Sequence, residues 1–125
     1  MTCHVAIIGA GPYGLAAAAH LRAANIETHV FGQPMDFWEK QMPAGMSLRS
    51  PLSASHIADP SGQFTLERYS AAARMPLSKP IPLCRFIDYG RWFQANVVPD
   101  LDQRRVQRVE AARGRFRARR AFAHF

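Results

Sequence analysis

Near the start of the chain, Gly9-Ala10-Gly11-Pro12-Tyr13-Gly14 carries the pattern GxGxxG. Its chemistry is recognition of a pyrophosphate by backbone. The first glycine permits a tight turn out of a strand. The second has no side chain, so phosphate oxygens can reach the main chain. The third lets the following helix lie close on the strand. A helix that opens there presents unpaired N–H groups and a partial positive charge to an anion. Pro12, at the start of the helix, gives up no N–H that the helix needs.

A lone GxGxxG is a weak signal, so the flanking elements decide. His4 to Ile8 is a short apolar run that suits a fully buried parallel strand. Leu15 to Ala24 is rich in Ala and Leu, strong helix formers, and Asn25 suits a C-terminal cap. Glu27 to Phe31 reads as a second strand. The order is strand, helix, strand, one parallel βαβ unit of the length that the fingerprint requires. One part is missing. Gly32 stands where an acidic residue usually meets the ribose hydroxyls. Glu27 comes too early, and Asp36 reads as a helix cap. Backbone groups, Asp36 or Gln33 are left for the ribose.

Further on, Asp36 to Gln41 is a short helix, and the Pro-, Gly- and Ser-rich residues 42–63 are an ordered loop or a lid. Thr65 to Arg74 is a helix with Thr65 or its neighbour as cap. Pro76 to Pro82 is extended. Phe86, Tyr89, Phe93 and Val97 have helical spacing. Val106 to Val109 and Phe116 could form a small hairpin. The fold class is α/β, with a Rossmann-like sheet core over residues 1–99 and a basic tail or ribbon remnant over 100–125.

The 125 residues are 48% hydrophobic, enough for one domain with a core. Of the formal net charge of +7, residues 100–125 account for +5, with eight Arg against Asp100, Asp102 and Glu110. The basic character belongs to the tail, whereas a nucleic-acid domain should stripe its charge along a folded face. A solvated tail and no nucleic-acid partner are therefore expected. Binding through the tail would instead be steeply salt-dependent. Cys3 and Cys84 read as free buried thiols, with no metal-ligand spacing. No signal peptide or bilayer-spanning run is visible, so a cytoplasmic location without a membrane partner is expected. His56 with Asp59 could do acid–base work, but a loop His with a capping Asp is the preferred reading. His20 and His29 fit core or rim roles.

With these residues read, the chain resembles a family. GAGPYGLAAAAHL followed by HVFGQPMDFW looks like the start of FAD-dependent monooxygenases with two dinucleotide-binding domains, such as flavin-containing monooxygenases and the bacterial amine N-hydroxylases of siderophore synthesis. The run from Trp38 through Met42-Pro43-Ala44-Gly45-Met46-Ser47-Leu48-Arg49-Ser50 is similar to the family segment that passes along the flavin. Phe86 to Phe93 resembles the helix ahead of the ribbon strands. The likeness runs over about residues 3–110. It implies FAD bound by Gly9, Gly11, Pro12, Tyr13 and Gly14, with Trp38, Met46, Arg49 and Ser50 near the flavin. Trp38 and Met46 could equally be ordinary core, and Arg49 a solvated cation.

In such enzymes NADPH reduces the flavin, which then activates oxygen, so the cofactor carries the chemistry. No catalytic residue is nominated. After Gly14 the glycines Gly32, Gly45, Gly62, Gly90 and Gly114 stand isolated, without a second fingerprint for NADPH. The expectation is the N-terminal, FAD-binding piece of an NAD(P)H-dependent oxidoreductase of monooxygenase type. It would lack the C-terminal strands and the NADPH domain, be inactive alone and be prone to self-association through an unfinished sheet. The alternatives are a truncated, non-catalytic dinucleotide-binding remnant and a simple NAD-dependent dehydrogenase. The missing acid and the Trp-containing segment weaken the dehydrogenase.

Overall fold

The computed structural model describes residues 2–120. Val5–Ile8 (β1), Pro12–Ala23 (α1) and Thr28–Phe31 (β2) form the expected βαβ unit, with the strands parallel and Val5 opposite Thr28. Helix α1 starts at Pro12, whose fixed φ suits a first helical residue. It ends at a cap on Ala24, and Asn25 takes the left-handed conformation just beyond, at φ 61°.

Strand β1 is not the fully buried strand expected from its composition. Its burial alternates, and Ile8 is 52% exposed. The register puts Val5, Ile7, Thr28 and Val30 on one face and Ala6, Ile8, His29 and Phe31 on the other. Helix α1 covers the first face, and Ala6 and Ile8 remain open on the second. Strand β2 is better enclosed because it has neighbours on both edges. Gly32 N–H donates to the Asp102 carbonyl at 2.8 Å, and Asp102 N–H to that of Val30 at 2.9 Å. Residue 102 thus bridges Phe31 in the parallel sense, as a third strand would. The Arg22 guanidinium fastens the approach to this bridge, at 2.6 and 3.1 Å from the Asp100 carboxylate and 2.9 Å from the Thr28 carbonyl. That contact holds the Asp100 carboxyl below its usual range.

The longest helix, α4 (Leu83–Val97), joins this unit to the rest. It packs on α1 and on the short helices α2 (Asp36–Gln41) and α3 (Leu66–Ala73). Its inward stripe includes Phe86, Tyr89 and Phe93, as the spacing predicted, with Gly90 beside them and Val97 only partly buried; Tyr89 and Phe93 are fully buried. Gly90 makes room for Met35. A Cβ on Gly90 would lie 2.4 Å from the Met35 sulfur. Met35, left-handed at φ 62° and fully buried, is the N-terminal cap residue of α2. Asp36 was expected there. It is instead the first helical residue and pairs with Lys40 at 2.9 Å. A deep apolar pocket selects the residue at the cap more strongly than capping chemistry does.

The long segment before α3 is an ordered loop. Tyr89 holds it from below, accepting from Ile57 N–H at 3.0 Å and donating to the Phe64 carbonyl at 2.6 Å. Thr65 caps α3 as read, accepting from Arg68 N–H at 3.2 Å. His56 Nδ1 accepts from Leu66 N–H at 3.0 Å, while Nε2 lies 3.4 Å from Glu67. Asp59 bonds Gln63 N–H and Ser61 and closes a local turn. Both side chains thus bond within their own loop and to the start of α3. A short ribbon, β3 (Ser47–Leu48) with β4 (Ile81–Pro82), closes the other end of the loop.

Two further expectations are corrected. Cys84 is exposed near the start of α4, and Cys3 is only partly buried. The basic tail is not a solvated segment: it folds into an antiparallel ribbon of β5 (Val106–Ala112) and β6 (Arg115–Arg120), the hairpin that Val106 to Val109 and Phe116 suggested. Arg113 and Gly114, at φ 48° and 77°, supply the two positive angles of a type I′ turn. No helix among the described residues is long and apolar enough to cross a membrane.

Burial is the main reason the Tyr89 phenol rises to about 12. The folded state therefore holds this proton more tightly than the unfolded chain, whose tyrosines titrate near about 10. Stability from this group is complete below about pH 10 and declines as pH rises toward about 12. Tyr89→Phe is expected to flatten that alkaline decline. It should also cost about 1–3 kcal/mol at neutral pH, because Ile57 N–H and the Phe64 carbonyl lose their partner. Urea unfolding of both proteins at neutral and alkaline pH is the check.

Candidate dinucleotide-binding site

The glycine turn is pinned on both sides before any ligand is considered. Gly9 N–H donates to the Phe31 carbonyl at 2.8 Å, and the Ala10 carbonyl accepts from Met35 N–H at 3.0 Å. Gly9 has φ 114°, a region that L side chains rarely adopt. Gly14 answers a different demand. A Cβ there would sit 2.1 Å from the Gly9 carbonyl oxygen and 3.4 Å from Ile7 Cγ2. The helix touches the strand end at that point and leaves no space for a methyl group.

Gly11 is different again. Its backbone is extended, at φ −85° and ψ −173°, so conformation does not require glycine. A Cβ on it would meet nothing within 4 Å. The space in front of Gly11 is open, and a side chain would project into it. The start of α1 has no capping side chain and no acidic residue in its first turn. The N–H groups of Tyr13 and Gly14 precede any intrahelical acceptor. They are donors at the positive end of the helix dipole, with no local carboxylate to repel an anion. The Tyr13 ring stands beside them, 89% exposed.

The ribose side of the motif is less complete. Gly32 has φ 132°, and a Cβ there would already lie 3.4 Å from Ala10 N. The Gln33 amide donates to the Gln103 carbonyl at 3.1 Å. Asp36 faces Lys40 at 2.9 Å and Arg105 at 4.0 Å. Both side chains named for the ribose are already engaged.

The other residues named from the sequence divide into two places. Trp38 lies on Phe86, with ring centroids 4.8 Å apart, and both Trp38 and Met46 pack against the core. Arg49 and Ser50 line a cleft of 310 Å³ with Leu48, Pro51, Leu52, Lys79, Pro80 and Ile81. The Ser50 hydroxyl is 2.6 Å from that of Ser55. The glycine turn forms no wall of this cleft. Lys79 escaped the sequence reading because only the β3–β4 pairing brings it beside Arg49 and Ser50.

Two solved structures are similar to this fold. The bacillithiol disulfide reductase of Staphylococcus aureus matches with a TM-score of 0.72 and 18% identity, over 94% of this chain and 33% of that one. The lysine monooxygenase NbtG of Nocardia farcinica matches with 0.64 and 16%, over 94% of this chain and 41% of that one. The fold is mixed α/β, with a Rossmann-like parallel strand pair, and it matches a segment of each of these larger proteins. The chain spans only about a third to two-fifths of the length of these two proteins, the second of which has an NADPH domain. No protein-family model and no curated protein sequence matches the chain.

Gly14→Ala and Gly11→Ala should separate the two roles of the motif. Gly14→Ala must push α1 off the strand end, and a loss of about 1–3 kcal/mol is expected. Gly11→Ala should stay within about 0.5 kcal/mol of the parent. Thermal unfolding of the two ligand-free variants checks this, and equal losses would show that both glycines serve packing alone.

Proposed function

We propose that this chain binds FAD, with the cofactor's pyrophosphate against the turn from Gly9 to Gly14. The observation that carries this reading is the open space at Gly11 in front of the uncapped start of α1. Tyr13 and Gly14 would donate backbone N–H groups to the phosphates. Gly9 would hold the turn, and Pro12 would fix the first helical φ. The ribose would be met by backbone groups near Gly32, since the Gln33 and Asp36 side chains have partners of their own. When bound, the flavin supplies the redox chemistry.

In this proposal the chain is the FAD-binding part of an NAD(P)H-dependent oxidoreductase. The resemblance of the stretch from Trp38 to Ser50 favours the monooxygenase branch. Trp38 and Met46 support the wall of the flavin site from the core, and Arg49 and Ser50 line the cleft beyond it. NADPH belongs to relatives with a second dinucleotide domain. The uncharged residues from Val5 to Ile8, with β2 on one edge only among the described strands, support self-association through the sheet.

The test is to add FAD to purified protein, remove the excess and record the visible spectrum. Near-stoichiometric flavin is expected in the parent. Gly11→Ala should retain none while melting at the parent temperature. A parent that keeps no flavin, or a Gly11→Ala protein that keeps all of it, would sink the proposal.

A further inference from the structure

The ribbon of β5 and β6 arranges its charge in a way that a solvated tail does not. Residues paired across an antiparallel ribbon point to the same face. The register pairs Arg108 with Arg119, Glu110 with Arg117 and Ala112 with Arg115. Arg108, Arg115, Arg117 and Arg119 therefore share one face with a single acid. Glu110 lies 2.7 Å from Arg108 and 3.3 Å from Arg119. Arg115 and Arg117 are exposed and make no ion pair among the described residues. Arg113, at the tip, adds another exposed charge. The opposite face holds Ala111, Ala118, Val109 and Phe116, and Phe116 is 81% exposed.

We propose that this arginine face binds the phosphate backbone of duplex nucleic acid. The charge is striped along a folded face, the footprint of such a surface. Alternate residues of a strand lie roughly 6.8 Å apart, so Arg115, Arg117 and Arg119 form a regular row of like charges. Like charges held side by side repel, and a polyanion relieves that repulsion. A two-stranded ribbon also has the cross-section that the major groove of a duplex, about 12 Å wide, admits. An anionic lipid surface fits less well. It would have to meet the arginines and Phe116 together, and these point to opposite faces. The proposal is independent of flavin binding, since the ribbon holds none of the residues of the glycine turn.

The test is fluorescence anisotropy with a labelled DNA duplex of about two helical turns, at salt from about 50 to 200 mM. Three net charges on the face predict a log–log salt slope near about −2.7. Arg115→Gln with Arg117→Gln should reduce its magnitude by about 1.8, and the matching Lys pair should restore it. Arg68→Gln with Arg74→Gln removes the same charge elsewhere and should leave the slope unchanged. Unaltered thermal unfolding shows that each variant is folded. An equal loss in the Arg68/Arg74 pair would reduce the effect to net charge and overturn the proposal. So would a slope indifferent to Arg115 and Arg117. Binding to phosphatidylglycerol vesicles in preference to the duplex, abolished by Phe116→Ala, would assign the ribbon to lipid instead.

Discussion

The contact between Gly14 and the Gly9 carbonyl constrains everything around the candidate site. A Cβ at position 14 would overlap that oxygen at 2.1 Å, so the helix can rest on the strand end only with hydrogen there. This approach fixes where α1 begins and therefore where its free N–H groups point. It also sets Ile7 beneath the helix, which determines which face of β1 is covered. The open face with Ala6 and Ile8 is the other consequence of the same geometry. A single missing methyl group thus orients both a donor set and a sheet.

Around this contact, the remainder of the domain is organised by α4. It faces α1 on one side and the loops on the other. Gly90 admits the side chain of Met35, and the Met35 backbone N–H bonds the Ala10 carbonyl within the glycine turn. Tyr89, one position earlier, ties together Ile57 and Phe64. Two neighbouring residues of one helix therefore brace the glycine turn and the long loop. The apolar layer does the packing, and a few buried hydrogen bonds fix its register.

The elements built on short-range chemistry were legible in the sequence. GxGxxG, the Ala-rich helix, the Thr65 cap and the stripe from Phe86 to Val97 each follow from local spacing, and each is in the fold. Tertiary context decided the rest. Strand β1 has the composition of a buried strand, but composition does not say whether a second layer is present. Asp36 has the chemistry of a cap, yet the pocket above Gly90 takes Met35. The tail has the charge of a solvated segment, although Arg113 and Gly114 can adopt a tight turn and its strands pair. At the site, Gly9 and Gly14 could be read because one answers a demand of conformation and the other a demand of close packing. The place of Trp38 against Phe86, and of Lys79 beside Arg49, depends on packing that no local pattern encodes.

The pairing of residue 102 with β2 has a consequence for how the chain acquires its structure. Arg22 and Asp100 are 78 positions apart, and Gln33 and Gln103 are 70. The βαβ unit is local and can begin to form as soon as β2 has emerged from the ribosome. Its second edge stays unsatisfied until the segment after α4 is synthesised, and closing so large a loop carries an entropy cost that short contacts do not. Topology of this kind slows folding relative to a purely local fold. During synthesis, β2 therefore has an interval in which Val30 and Gly32 hold unpaired backbone groups on one edge.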